Sequence, residues 1–255
     1  MRYNENAKLI KKEHIKNDIY KFTLQTEKIA KESKPGNFIE MKVADTSTVF
    51  LRRPISIFNI DGNNIEVIFQ VKGKGTELLA KKQEGEEIDI LGPLGFGTFK
   101  VDNFEKVAII GGGIGVFPLY ELAKELKGKT KINTYLGFRN KDFVVVEDEF
   151  KSVSDKLIIA TDDGSYGEKG FAIDFLKNDD KPDMIYACGP LLMLKAVKAY
   201  ADENNIPCQV SLEERMGCGI GACLGCAVKI IKNGEERYGH VCKEGPVFYS
   251  KDVEI

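Results

Sequence analysis

Four cysteines near the end of the chain have a spacing that suits metal chemistry. They follow the pattern C-x4-C-x2-C-x15-C and are Cys218, Cys223, Cys226 and Cys242. The plant-type spacing of [2Fe–2S] sites begins with the same C-x4-C-x2-C and has a distant fourth cysteine. A zinc site is the alternative, but zinc modules usually contain two C-x2–4-C knuckles and this segment contains one. The spacing therefore favours a [2Fe–2S] cluster over zinc.

A glycine-rich loop is the second candidate for chemistry. Gly111-Gly112-Gly113-Ile114-Gly115 lies between a strand pattern and a helix pattern, where backbone amides can bind a pyrophosphate. The loop lacks the G-x-G-x-x-G fingerprint, because the sixth position from Gly111 is Val116. Tight strand-to-helix turns also select glycine for steric reasons alone, so the loop fits both a nucleotide site and a structural turn.

Weaker signals lie on either side of this loop. Arg52-Arg53-Pro54-Ile55-Ser56 places a guanidinium near a hydroxyl and could bind a phosphate, although two solvated arginines explain it equally well. Gly73-Lys74-Gly75-Thr76 opens a predicted helix whose amides offer another anion site. Cys188, in Ala187-Cys188-Gly189-Pro190, follows a strand where a wound sheet places its ligands. A buried core cysteine is the other interpretation of Cys188, and the preferred one for Cys208.

The elements that must position these residues fall into three segments. Alternating strands at 37–43, 64–71 and 87–91, with a helix at 76–82, predict an antiparallel barrel or sandwich. Strands at 106–110, 131–136, 156–160 and 184–187, with helices at 118–126 and 191–204, predict a parallel wound sheet. Strands at 227–232 and 236–240 flank an Asn233-Gly234 hairpin signal. We therefore expect three domains, at 1–102, 103–212 and 213–255.

Composition narrows the classes of function. The 255 residues are 43% hydrophobic and 30% charged with a net charge of −2, which argues against a disordered chain and against a nucleic-acid or anionic-membrane footprint. The longest uncharged apolar stretch, 107–120, is too short to span a bilayer. The polar N-terminus lacks a signal-peptide core, so a cytoplasmic protein is expected. Two histidines and no tryptophan leave few catalytic bases and point to cofactors.

Taken in chain order, the motifs resemble a known family. Arg53-Pro54-Ile55-Ser56, Gly75-Thr76, the Gly111–Gly115 loop and Cys188-Gly189-Pro190 are similar to the ferredoxin–NADP reductase superfamily, in which an FAD-binding barrel is joined to a nicotinamide-binding sheet. The segments 213–226 and 241–248 resemble the electron-transfer subunits of class 1B dihydroorotate dehydrogenases. The resemblance covers essentially the whole chain.

The resemblance implies a set of cofactor-binding residues. For FAD the set is Arg53, Pro54, Ile55, Ser56, Ile68, Phe69 and Gln70, with Gly75 and Thr76 on its pyrophosphate. For NAD(H) the set is Gly111, Gly112, Gly113, Ile114 and Gly115, with Cys188, Gly189 and Pro190 near the nicotinamide ring. The four clustered cysteines would hold the [2Fe–2S] cluster. Many family members have an aromatic residue at the position of Ile55, so flavin stacking there is not expected.

The resemblance also implies a function and a partner. Electrons would pass between NAD(H) and a separate FMN-containing subunit through FAD and the cluster. That subunit interconverts dihydroorotate and orotate in pyrimidine biosynthesis, and the complex would be a heterotetramer of two copies of each subunit. One alternative is the NAD(P)H-handling subunit of a ferredoxin-linked transhydrogenase or sulfide dehydrogenase, in which the position of Cys218 is often an aspartate. A structural zinc module is the other. Arg139, Lys141 and Asp142 leave NADH and NADPH both open.

Overall fold

Six antiparallel strands of the first hundred residues close into a barrel. The computed structural model describes residues 1–44, 49–232 and 234–255. The barrel strands and the two short helices between them are β1 (Tyr3–Lys16), β2 (Ile19–Gln25), α1 (Ile29–Glu32), β3 (Phe38–Met41), β4 (Arg53–Asp61), β5 (Asn64–Gln70), α2 (Lys74–Ala80) and β6 (Glu87–Leu94). The strands are joined in the order β1-β2-β5-β4-β3-β6. This confirms the predicted barrel.

The first strand is one that the sequence analysis missed. β1 is rich in charged residues, and its pairing with β2 shifts register between Leu9 and Lys11 and again between His14 and Lys16. Such bulges break the alternation that marks a strand in a sequence. Only Ala7 and Leu9 of this strand are fully buried in the barrel core. The predicted helix at 76–82 is observed two residues earlier, as α2.

A wound sheet with helices follows the barrel. Its elements are β7 (Lys106–Gly112), α3 (Tyr120–Leu126), β8 (Lys131–Phe138), α4 (Glu147–Val153), β9 (Lys156–Thr161), β10 (Glu168–Lys169), α5 (Ala172–Lys177), β11 (Met184–Cys188), α6 (Leu191–Glu203) and β12 (Cys208–Ser211). These strands pair in parallel in the order β10-β9-β8-β7-β11-β12. The predicted parallel sheet is therefore confirmed.

The predicted helix at 118–126 is wrong at its start. A 3-10 helix covers Gly113–Leu119, and the α-helix begins only at Tyr120. Pro118 lacks the N–H that an α-helical hydrogen bond needs, and short 3-10 turns are common where a helix begins. The glycine loop is thus followed by a tight turn rather than by an α-helix.

The C-terminal segment forms a hairpin and then rejoins the wound sheet. The hairpin pairs β13 (Ala227–Lys232) with β14 (Glu235–His240) in antiparallel register. This confirms the predicted pairing, although Asn233 of the predicted turn lies outside the described residues. β15 (Val247–Tyr249) then pairs antiparallel with β12. The sheet therefore extends across the expected boundary at residue 212.

Contacts between the barrel and the wound sheet hold the two together. Phe58 of β4 stacks on Tyr120 of α3, with ring centroids 4.6 Å apart. Glu121, which is almost fully buried, accepts a hydrogen bond from the Ile60 amide at 2.8 Å. Lys124 donates to the Ile60 carbonyl at 2.7 Å. Among the described residues, no helix is both long enough and apolar enough to cross a membrane.

Candidate functional site

A narrow cleft opens where the barrel meets the wound sheet. It has a volume of about 200 Å³, and the barrel side is formed by Pro54, Ile55, Ser56, Ile68, Phe69 and Gln70. These are six of the nine residues expected to bind FAD. Ile114 and Phe117 close the opposite side. A slot with apolar walls and a few polar groups suits a flat aromatic ring system.

The other expected FAD residues lie together outside this cleft. The guanidinium of Arg53 packs so closely on Gly75 that a Cβ at Gly75 would lie 2.6 Å from Arg53 Cζ. Arg53 Nη1 donates to the Leu51 carbonyl at 2.7 Å. The hydroxyl of Thr76 is already used within α2, where it accepts from the Lys72 and Gly73 amides and donates to the Gly73 carbonyl. A backbone that approaches an arginine fork this closely can cradle a phosphate.

A second cleft of about 500 Å³ runs over the glycine loop. It is lined by Gly112, Gly113, Ile114, Gly115, Gly189 and Pro190, all of which were expected to bind NAD(H). The walls also carry Lys72 of the barrel and Arg139, which follows β8. Two cations and exposed backbone amides suit the phosphates of a dinucleotide.

Two expected residues are buried beneath this cleft. Gly111 is packed against Val116, since a Cβ on Gly111 would lie 2.8 Å from Val116 Cγ1. Cys188 is fully buried, and burial raises the pKa of its thiol well above the usual value. Gly115 lies on Gly189, because a Cβ there would come 2.5 Å from the Gly189 Cα. The two glycine segments therefore support each other's backbone, with Cys188 as a core residue.

Glu213 connects the two clefts and was not singled out as a site residue from the sequence. It lines both of them, together with Gln70 and Ile114. Surrounding protein desolvates the carboxyl and raises its pKa, an effect that the nearby Lys72 opposes. The position of Glu213 directly after β12 in a wound sheet was the available signal, because ligands bind beyond the carboxyl ends of the strands.

A more apolar groove continues from the cleft over the glycine loop and runs along the end of the wound sheet. It has a volume of about 560 Å³ and contains Phe171, Leu192 and Met193 as well as Gly112, Gly113 and Arg139. Phe171 and Leu192 are 64% and 81% exposed, which is unusual for such large apolar side chains away from an interface or a ligand. Asp162, which follows β9, is the acidic residue in this groove. From the sequence, an acidic residue of this kind was expected after β8 and not after β9.

The four clustered cysteines are brought together by one loop and one hairpin. The loop between β12 and β13 carries Cys218, Cys223 and Cys226. Cys242 is 16 positions beyond Cys226, but the pairing of Ala227 with His240 returns the chain to the start of β13. A hydrogen bond of 3.0 Å from the Val241 amide to the Cys226 carbonyl extends that pairing. The hairpin is therefore the element that brings the fourth cysteine to the loop.

Backbone amides point at the sulfur atoms. The amides of Ala222 and Cys223 donate to Cys218 Sγ at 3.3 and 3.4 Å. Burial alone would raise the pKa of the Cys218 thiol, but these amides and that of Ile220 lower it to about 6. The Cys242 amide donates to Cys226 Sγ at 3.5 Å. Burial and the neighbouring Cys226 raise the pKa of the Cys242 thiol to about 12.

This donor set fits an iron–sulfur cluster. The thiols influence each other's pKa in two pairs, Cys218 with Cys223 and Cys226 with Cys242. Two thiol pairs with amides directed at sulfur correspond to a cluster whose two irons each take two cysteines.

Comparison with known proteins agrees with this arrangement. Residues 213–254 match the iron-sulfur cluster binding domain of dihydroorotate dehydrogenase B. The chain is 41% identical to the dihydroorotate dehydrogenase B (NAD(+)) electron transfer subunit of Bacillus mycoides, with 100% of both chains covered. It is 42% identical to that of Bacillus pumilus, with 97% of this chain and 96% of the relative covered.

A solved structure is also similar along nearly the whole chain. It comes from work on flavin-based electron bifurcation in an NADH-dependent reduced ferredoxin-NADP oxidoreductase. The two superpose with a TM-score of 0.86 and 32% identity, covering 98% of this chain and 90% of that one. The barrel, wound sheet and cluster loop therefore form a ferredoxin–NADP reductase-type fold with a cluster-binding segment. Since its curated relatives match it at about two residues in five from end to end, this chain belongs to the family of dihydroorotate dehydrogenase B electron transfer subunits.

Proposed function

We propose that this chain passes electrons between NAD(H) and the FMN-containing catalytic subunit of a dihydroorotate dehydrogenase. The route uses FAD and a [2Fe–2S] cluster and serves pyrimidine biosynthesis, in which dihydroorotate is oxidised to orotate. One observation carries the proposal. The nicotinamide and flavin clefts share Gln70, Ile114 and Glu213, and the flavin cleft continues to Met216 at the base of the cysteine loop. This continuity of the two clefts with the cysteine loop supports an electron route through three cofactor sites.

The residues of the chain bind and orient cofactors and do not act on an organic substrate. Bound FAD and a [2Fe–2S] cluster supply the exchange between two-electron hydride chemistry and one-electron transfer. Ile114 lines both clefts and so lies between the proposed flavin and nicotinamide sites. Phe69 and Phe117 form apolar walls of the flavin cleft.

The proposed binding residues follow from the placement of each site. FAD is held by the cleft residues Pro54 to Ser56 and Ile68 to Gln70, with Arg53, Gly75 and Thr76 on its phosphates. NAD(H) is held by Gly112 to Gly115, Gly189 and Pro190, with Glu213 at the junction and with Gly111 and Cys188 supporting the cleft from beneath. The cluster is held by the four cysteines of the loop and hairpin. We assign the three functional segments to residues 1–102, 103–212 and 213–255.

The partner subunit is proposed to dock over the cluster loop. Ile220 and Leu224 of the loop and Phe96 beside it are 39%, 74% and 65% exposed. Arg2 connects two of them, since it lies 4.9 Å from the Phe96 ring centroid and donates to the Ile220 carbonyl at 3.3 Å. Apolar side chains rimmed by polar ones mark interaction sites. The full complex is proposed to be a heterotetramer with two copies of each subunit.

A second candidate acceptor is a ferredoxin. The structural relative of the ferredoxin-NADP oxidoreductase is 32% identical, whereas the dihydroorotate dehydrogenase relatives are 41% and 42% identical. The higher identity supports the dihydroorotate enzyme. The two candidates differ in which partner, an FMN subunit or a ferredoxin, exchanges electrons with the reduced chain.

Anaerobically purified, reconstituted protein tests the proposal. We expect flavin bands and a broad iron–sulfur absorbance that both bleach with one equivalent of NADH. Adding the FMN subunit and orotate should restore them, whereas adding a ferredoxin should not. Cys226→Ser should lose iron, while Cys208→Ser, a buried cysteine of β12 outside the loop, should keep it. A colourless protein that contains zinc and is unchanged by NADH would overturn the proposal.

A further inference from the structure

A buried carboxylate without a partner lies beside the cluster loop. Glu40 of β3 is 1% exposed, and both of its carboxylate oxygens lack a hydrogen-bond partner among the described residues. The charge of the nearby Arg52 favours the ionised form of Glu40, but no hydrogen bond joins the two side chains among the described residues. Arg52 Nη2 binds Asp89 at 2.7 Å, and Arg52 Nη1 reaches only the main-chain carbonyl of Glu40, at 3.4 Å.

The Glu40 side chain packs on the loop next to the first cysteine. A Cβ placed on Gly219 would lie 2.7 Å from Glu40 Cγ and 2.9 Å from Glu40 Oε1. Gly219 has a φ of +67°, a backbone conformation that L side chains rarely adopt. The Glu40 carboxylate is thus in direct contact with the backbone of Gly219, the residue that follows Cys218.

The same residue belongs to the flavin side of the molecule. Glu40 pairs with Pro54 in the β3–β4 register, and Phe38 of the same strand pairs with Ser56. Both Pro54 and Ser56 line the flavin cleft. Glu40 therefore stands between the strand that binds the flavin and the loop that binds the cluster.

The positively charged Arg2 contacts the next residue of the loop, Ile220. Arg2 Nη1 donates to the Ile220 carbonyl, while Arg2 Nε and Nη2 are buried and have no hydrogen-bond partner in the part of the chain that the structure describes. The two charges contact consecutive residues, Gly219 and Ile220, yet no ion pair between them occurs within the described residues. A buried charge without a partner reduces stability, and an apolar or amide side chain would avoid that cost.

We propose that Glu40 tunes the cluster that Cys218 and its partners would hold: its carboxylate lowers the reduction potential, and Arg2 raises it. This inference rests on the proposed function. Reduction adds one electron, supplied by NADH through the flavin, to the cluster. A fixed negative charge in a low-dielectric site opposes that addition, and a positive charge favours it. Neither residue is a ligand, and both act through their charge at the loop backbone.

The test is a potentiometric titration of the reconstituted protein at pH 8.5, monitored by the EPR signal of the reduced cluster. Glu40→Gln should make cluster reduction about tenfold more favourable, which is 59 mV for one electron. Arg2→Gln should shift the potential in the opposite direction. Glu87→Gln, which removes an exposed carboxylate from the neighbouring strand β6, should leave the potential unchanged. Equal potentials in Glu40→Gln and the wild type, or shifts of the same sign in Glu40→Gln and Arg2→Gln, would overturn the inference.

A second measurement needs no cluster. Iron-free Glu40→Gln should unfold at a urea concentration equal to or higher than the wild type, because the substitution removes an unpaired buried charge. A lower midpoint would mean that Glu40 stabilises the fold, and would overturn the tuning role. If Glu40→Gln does not take up iron, the urea midpoint of its iron-free form and the cluster potential of Arg2→Gln together test the inference. A wild-type protein with no cluster signal would instead refute the proposed function itself.

Discussion

The guanidinium of Arg53 rests on the backbone of Gly75, although the two residues are 22 positions apart. A Cβ at position 75 would lie 2.6 Å from both Arg53 Cζ and Arg53 Nη2, well inside van der Waals contact. The start of β4 and the start of α2 thereby form one charged surface beside the flavin cleft. The absence of a side chain at position 75 allows the arginine to occupy this place.

Gly75→Ala should therefore weaken FAD binding. The new methyl group would displace the flexible Arg53 side chain without breaking the fold, and we expect at least a tenfold loss of affinity, about 1.4 kcal/mol. The measurement is the FAD content of purified protein and its Kd after removal of the flavin. Gly73→Ala is the control, because a Cβ there meets nothing within 4 Å. Equal affinity in the two variants would refute the role of Arg53.

Asp162→Asn should relax the preference for NADH. Asp162 is the carboxylate in the apolar groove next to Arg139, where it can accept hydrogen bonds from ribose hydroxyls and repel a 2′-phosphate. We expect the ratio of kcat/KM for NADPH to that for NADH to rise by roughly tenfold. Asp163→Asn is the matched control, because that carboxylate accepts from the Ser165 amide and does not line the groove. An unchanged ratio in Asp162→Asn would place the ribose elsewhere.

Leu224→Glu should affect electron exchange with the catalytic subunit without affecting the oxidation of NADH. Leu224 is 74% exposed in the loop that carries three of the cysteines, and a charge there would be buried at cost in a docked complex. We expect electron exchange with the catalytic subunit to be abolished, while NADH oxidation by artificial dyes is kept. Tyr238→Glu, at a comparably exposed position on β14, should affect neither activity. If Leu224→Glu still exchanges electrons with the partner, the docking surface lies away from this loop.

Asp179→Ala should destabilise the wound sheet in a pH-dependent way. Asp179 Oδ2 accepts from Tyr135 at 2.5 Å, Lys156 at 2.7 Å and Asn133 at 3.1 Å. Burial opposes ionisation of this carboxyl, but the hydrogen bonds from Lys156 and Tyr135 outweigh burial and hold its pKa well below the usual range. Removing the side chain leaves the buried Tyr135 hydroxyl unpaired, so we expect a loss of about 2 kcal/mol near pH 7.

The sign of the pH effect follows from that lowered pKa. The folded carboxyl has a lower pKa than the unfolded one, so its stabilisation is complete above about pH 4 and declines as the pH falls further. Urea unfolding should therefore show a gap between wild type and Asp179→Ala that narrows from pH 7 towards pH 3. Asp180→Ala is the control, since Asp180 is exposed and forms only a surface ion pair with Lys106 at 3.7 Å. A gap that stays constant with pH would show that charge is not involved.

Local patterns in the sequence were sufficient for the fold class and for most of the site. Each of the main motifs consists of residues that are close together in the chain, so its spacing can be recognised without a structure. These motifs are the four cysteines, the glycine loop and the Arg53–Ser56 segment. Strands β5 and β6 alternate in the way that a one-sided barrel core imposes. β1 was missed because its bulges and charged side chains disrupt that alternation. Pro118 was assigned to an α-helix because a short 3-10 turn has no distinct sequence pattern.

Tertiary structure alone decided which distant residues share a surface. Gln70, Ile114 and Glu213 come from three separate parts of the chain and meet at the junction of two clefts. β15 pairs with β12 and so joins the wound sheet, although its position in the sequence does not suggest this pairing. The contact of Glu40 with Gly219 joins the barrel to the cluster loop across 179 positions. The sequence by itself determined which cofactors the chain is built for, because ligand chemistry depends on residue types and short spacings. The order and electrostatic surroundings of the sites depend on packing between elements, which short spacings do not encode.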